Sequence, residues 1–138
     1  MNWVAYALLS ALFAALTAIL AKVGVKNIDS NLATAIRTIV IFIFTWGLVF
    51  FQGTQKDMGS ISKVSLIFLI LSGLATGLSW IFYFKALQIG SASKVVPIDK
   101  LSLIFTIILA AIFLKESISI KAILGIIFMT LGAVLVVI

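Results

Sequence analysis

Apolar residues run through this chain in blocks of about twenty, and short polar stretches separate the blocks. A helix that crosses the hydrocarbon of a membrane needs about 20 mostly apolar residues. Five segments meet that length: Trp3 to Ala21, closed by Lys22; Leu32 to Phe51, interrupted by Arg37; Val64 to Phe84, free of charge; Val95 to Leu114, holding Asp99 and Lys100; and Ala122 to Ile138. The joints are "KVGVKNIDSN", "QGTQKDMGSISK", "KALQIGSASK" and "KESISIK", and none is long enough for a soluble domain. The pattern predicts an all-α polytopic membrane protein, with residues 1–138 forming one domain of five transmembrane helices.

Composition strengthens this. The chain is 64% hydrophobic and 10% charged, with a mean hydropathy of +1.35; soluble domains run near 45–50% apolar and about 25% charged. There is no cysteine, hence no disulfide, thiolate metal site or cysteine nucleophile. There is no histidine, which removes the commonest general base and metal ligand. No nucleophile–base pair or metal-ligand set can be assembled, so neither an enzyme nor a metal or cofactor site is expected. The net charge of +6 is spread over single basic residues between apolar runs. A nucleic-acid binder clusters such residues on a solvated face; here they suit the anionic headgroups of a lipid bilayer. The opening "MNWVAYALLS" has no basic region before its apolar run, so it reads as a retained span and not as a cleaved signal peptide.

Five spans put the two chain ends on opposite membrane faces. Lys56, Lys63, Lys115 and Lys121 fall in loops on the N-terminal face, and Lys22, Lys26, Lys85 and Lys94 fall on the other, face B. Orientation follows an excess of Lys and Arg on the cytoplasmic side, and four against four is no excess. Two readings stay open: charges within the membrane or the order of synthesis select one orientation, or the chain inserts both ways.

Helical neighbours recur at three, four and seven residues. Ser10, Ala14, Thr17 and Ala21 form one stripe on the first helix; Thr34, Thr38 and Thr45, with Arg37 beside them, form one on the second. Ser72, Thr76, Ser79 and Tyr83 line the third, and Asp99, Ser102, Thr106 and Ala110 the fourth, whereas the fifth offers only Thr130. Small hydroxyl residues in membrane helices often serve packing alone. Stripes on four consecutive helices instead predict a polar interior enclosed by helices one to four, with the fifth outside. Gly73 and Gly77 make a GxxxG pair that lets backbones approach, and Gly125 and Gly132 share a face of the last helix suited to a second subunit.

The in-span charges are the sharpest candidates. Counted from the helix starts at Val95 and Leu32, Asp99 lies roughly 6 Å and Arg37 about 7–8 Å from face B, at 1.5 Å per residue. Charges within a membrane usually pair or face a water-filled interior, so an Arg37–Asp99 ion pair is expected. Pro97 fits a helix start, where its missing N–H breaks no helical bond, and Asp99 in the first turns faces the positive helix end. Lys100 either snorkels to the headgroups or offers a cation at the rim of the interior to a carboxylate or phosphate. Trp80 and Tyr83 either stack on a planar solute or anchor at the interface. The expected substrate-binding set is Arg37, Asp99, Lys100, Ser102, Thr106, Ser72, Thr76, Ser79, Trp80, Tyr83, Ser10 and Thr17. Were transport proton-coupled, Asp99 is the only carboxylate within a span.

The stretch from Ala86 to Ile138 resembles the C-terminal part of the EamA domain of the drug/metabolite transporter superfamily. Ala86-Leu87, Gly90, Ala92-Ser93, Val95, Pro97-Ile98, Leu101, Leu114, Glu116 and Gly125 match its pattern position by position, and "ATAIRTIVIF" is similar to the corresponding second-helix segment. In that pattern the fourth apolar run ends in Leu, then Gly or Lys, then Glu. Leu103 departs from it, standing where many members carry a second proline. "PIDKLS" resembles the variant in short, single-domain members.

Most members are ten-helix proteins of two such domains in opposite orientations, and inverted-repeat transporters bind substrate between the halves. The resemblance therefore implies one half of an inverted-repeat transporter, completed by a second copy as an antiparallel homodimer in the cell (inner, cytoplasmic) membrane. The arrangement is similar to the small multidrug resistance proteins, whose dimerisation motif the Gly125–Gly132 spacing resembles. Those proteins couple drug export to protons through a glutamate in the first helix, and Trp3 to Ala21 contains no acid. The expected function is alternating-access carriage of a small polar metabolite, amino-acid-like or otherwise zwitterionic or anionic. The competing expectations are cationic-drug efflux and a non-transporting membrane subunit that stabilises a larger complex. Arg37, Asp99 and Lys100 weigh against the subunit.

Overall fold

Residues 2–138 are described by a computed structural model, and among them five helical spans are long and apolar enough to cross a membrane: Trp3–Gly24, Ser30–Gln52, Lys63–Ile89, Ala92–Leu114 and Ile120–Val137. No strand occurs among the described residues. Each helix starts earlier than, or level with, its apolar block, and at three of the four joints a polar side chain caps the start. The Asp29 carboxylate accepts from the backbone N–H groups of Asn31 and Leu32 at 2.9 and 3.1 Å and so starts α2, Ser30–Gln52. The Ser62 hydroxyl accepts from Ser65 N–H at 3.0 Å ahead of α3, Lys63–Ile89. Gly53, left-handed at φ 73°, closes α2, and a short 3₁₀ helix, Thr54–Ser60, leads on to α3.

The fourth span departs from the expectation. It is α4, Ala92–Asp99, then α5, Ser102–Leu109, then a π-helical turn, Ala110–Leu114. Pro97 is inside α4 and not at its start, since the helix begins at Ala92. A proline there lacks an N–H and its ring crowds the carbonyl four residues back, so the helix breaks. The chain answers with tight i→i+3 bonds: Lys100 N–H to Pro97 O at 3.2 Å, Leu101 to Ile98 at 3.0 Å and Leu103 to Lys100 at 3.0 Å. Asp99 consequently ends α4 and does not face the positive end of that helix. The π turn stops at Lys115, left-handed at φ 55°, with Glu116 N–H bonded to Ala110 O at 3.3 Å. A left-handed residue explains why the pattern at this position admits glycine. The last helix, α6, is Ile120–Val137, capped by the Ser119 hydroxyl on Ala122 N–H at 3.2 Å.

The chain divides into two compact units, 20–88 and 1–19 with 89–138; the first helix, α1 (Trp3–Gly24), contributes to both. In unit 20–88 the core gathers where the α1–α2 turn meets the end of α3: Ala21, Val25, Ser30, Ala33, Thr34, Phe84 and Leu87 are buried. The Gln88 amide donates to Val25 O at 3.3 Å and Ile28 O at 2.8 Å, and Lys22 Nζ donates to Leu87 O at 2.6 Å. These contacts tie the turn to the last carbonyls of α3, where a cation also meets the negative helix end. In the other unit α4 packs against α6, with Lys94 Nζ donating to Val137 O at 2.9 Å. Between them lies a cavity of about 220 Å³, bordered by Pro97, Lys100 and Leu101 on one side and by Thr130, Gly132 and Ala133 on the other. Most large apolar side chains point outward, Phe51 at 90% exposure and Leu135 at 75% among them. In water that surface would be untenable; in a bilayer it is solvated by lipid.

Candidate functional site

Ser30, Ala33, Thr34 and Arg37 fall on one stripe of α2, three or four residues apart. The first three are buried and small, and the arginine follows them along the same face. Its guanidinium carbon stands 4.2 Å from the centroid of the Phe84 ring and 5.5 Å from that of Trp80. Trp80 and Phe84 are four residues apart on α3, so their rings lie one above the other on one face. Tyr83 packs its ring edgewise on Phe84, at 5.5 Å between centroids and 72°. Arg37 Nη1 is buried and has no hydrogen-bond partner among the described residues.

Each of the two residues expected to form an ion pair, Arg37 and Asp99, is engaged within its own unit. Asp99 meets Lys100, with Nζ 3.5 Å from Oδ2 and side chains 39% and 53% exposed respectively. The two are chain neighbours, and their flexible, partly exposed side chains reach each other locally. Counting depth from the membrane face took no account of ring faces as partners for a cation.

The hydroxyl stripes are also satisfied more locally than a polar interior requires. Thr76 donates to Ser72 O at 2.9 Å, Thr106 to Ser102 O at 2.9 Å, and Thr34, Thr38, Thr45 and Thr130 likewise to the carbonyl four residues back. A threonine bonded to its own helix costs little in hydrocarbon. Ser72, Thr76 and Ser79 share the face of α3 that carries Trp80 and Tyr83, and that face leads along the helix to Arg37. Asp99, Lys100, Ser102 and Thr106 are brought together at the α4–α5 break. Ser10 is exposed and Thr17 half-buried on α1. Gly125 and Gly132 have open space where a Cβ would stand, as do Gly73 and Gly77; Gly132 also borders the α4–α6 cavity.

Phe84 is the residue sequence reasoning missed. It marked the end of an apolar block, and its signal was its place four residues after Trp80 and next to Tyr83. Lys22 and Gln88, which hold the end of α3, were read only as loop polarity. Among the described residues no group of three or more His, Cys, Asp or Glu is placed to hold a metal ion.

A protein of Sinorhizobium sp, described as "Uncharacterized transporter in cobO 3'region", is 46% identical over 134 residues, which cover 97% of this chain and 95% of that protein. No solved structure matches. The model of the EamA-like transporter family matches residues 1–138. The chain belongs to the EamA-like transporter family and is a multi-pass membrane transporter.

Proposed function

We propose that this chain carries a small metabolite bearing a carboxylate or comparable anionic group, zwitterionic amino-acid-like solutes included. It does so as a single five-helix module that works by alternating access with a second, antiparallel copy in the cytoplasmic membrane. The observation that carries the reading is Arg37: a guanidinium inside a span, with Nη1 buried and unbonded. Ionisable groups at membrane depth mark substrate paths, and the planar guanidinium fork matches a carboxylate with two parallel hydrogen bonds. Trp80 presents a ring to it, and the hydroxyl-bearing face of α3 continues the path. Cationic drugs are disfavoured because the first span contains no acid and Asp99 already faces Lys100. The even lysine distribution and the open faces of Gly125 and Gly132 support the antiparallel dimer.

The test is uptake by liposomes that hold only this chain, with labelled zwitterionic amino acids, carboxylates and a cationic dye side by side. An anionic or zwitterionic solute should enter, and Arg37→Gln should stop it. Entry of the dye alone would overturn the reading. Reporters fused after Ile138 should respond on both sides of the membrane; response on one side alone would exclude the antiparallel dimer.

A further inference from the structure

The charge on Arg37 is compensated although no acid pairs with it among the described residues. Phe84, 1% exposed, puts its ring face 4.2 Å from the guanidinium carbon, and Trp80 puts a second ring 5.5 Å from it. Ring faces carry the negative end of the aromatic quadrupole and attract a cation. They accept in-plane hydrogen bonds poorly, and Nη1 is indeed left without an acceptor. The rings thus answer the charge but not the donors. A carboxylate answers both, because its two oxygens take the guanidinium edge while its charge replaces the ring quadrupoles. An amine or a neutral solute can do neither.

We infer that Trp80 and Phe84 stand in for the substrate's anionic group: they hold the Arg37 cation while the carrier is empty and are displaced from it when a carboxylate arrives. This rests on the reading of Arg37 as the anion site. The rings then set affinity by competing with the ligand, which makes Phe84 and Trp80 affinity-determining residues of the carrier. A purely positioning role for the rings makes the opposite prediction, because a guanidinium that has lost its support binds more weakly.

The sign of the effect decides between the two. The full-length chain in lipid nanodiscs is titrated with radiolabelled benzoate, with inorganic phosphate as a second anion and benzylamine as a cation of matching size. The wild type should bind benzoate saturably and ignore benzylamine, and Arg37→Gln should abolish binding. Trp80→Leu should tighten benzoate binding about two- to thirtyfold, the span set by a cation–π contact. Trp80→Phe, which leaves a weaker ring face in place, should fall between wild type and Trp80→Leu. Phe84→Leu should tighten binding as well, but because Phe84 is buried the two Trp80 variants carry the decision whether or not Phe84→Leu folds. Unchanged or weaker binding in the Trp80 variants, with Arg37 still required, overturns ring competition and leaves the anion site standing. Failure of benzoate and phosphate alike to bind through Arg37 overturns both.

Discussion

At the junction of α4 and α5 the chain sets Asp99 3.5 Å from Lys100, both side chains partly exposed. On α2, by contrast, Arg37 makes no ion pair within its own unit, and the rings of Phe84 and Trp80 lie against its guanidinium. The first arrangement neutralises itself. The two are chain neighbours whose side chains reach each other locally, and their exposure keeps the attraction weak. The second arrangement leaves one donor atom, Arg37 Nη1, buried and unmet, and an unmet buried polar group is costly. A membrane protein that retains such a group places it where something else can complete it. The contrast sets a self-neutralised pair of chain neighbours against an in-span charge held by ring faces, the group that the proposed function assigns to the ligand.

The largest effect expected to bear on this contrast comes from Arg37→Gln. Uptake in liposomes should fall at least about a hundredfold, equivalent to roughly 3 kcal/mol of lost transition-path binding. Thermal unfolding followed by circular dichroism should be no easier than in the wild type, because a charge with unmet donors has been removed. Loss of fold together with uptake would show that the arginine is structural after all and would break the comparison. Lys22→Met comes next. Lys22 shows a third way to settle a cation, on the backbone carbonyl of Leu87 at the end of α3. Loss of that charged donor should destabilise the chain by about 2 kcal/mol in a detergent unfolding titration, with affinity for solute unchanged in the molecules that stay folded. A stability equal to wild type would mean that water or headgroups serve the carbonyl equally well.

The smallest effect belongs to Asp99→Asn and Lys100→Gln. Each should change stability by less than about 1 kcal/mol, and the double-mutant cycle should give a coupling below about 0.5 kcal/mol. A coupling several times larger would place Asp99–Lys100 in the same class as a buried pair and remove the distinction between the two regions.

The five spans were legible because a membrane demands only length and apolarity of a helix, and those are local properties of a sequence. The caps at Asp29 and Ser119 are local too, which is why they lengthen the helices into the polar joints by only a few residues. The break in the fourth span was not legible, although Pro97 was in plain view. Whether a proline starts a helix or breaks one depends on where the helix begins, and here that is Ala92, three residues before the apolar block. The Arg37–Asp99 pair was inferred from depth alone, and depth says nothing about which way a side chain points around its helix.

The sequence by itself determined the all-helical membrane fold, the number of spans, the absence of thiol and imidazole chemistry, and the short list of charges that any function must use. Only the tertiary structure decided what those charges touch. Asp99 meets its chain neighbour Lys100, and Arg37 meets Phe84 and Trp80 on another helix. Partnerships such as the second join residues more than forty positions apart. They depend on the rotation of whole helices about their axes, a quantity that no local stretch of sequence encodes.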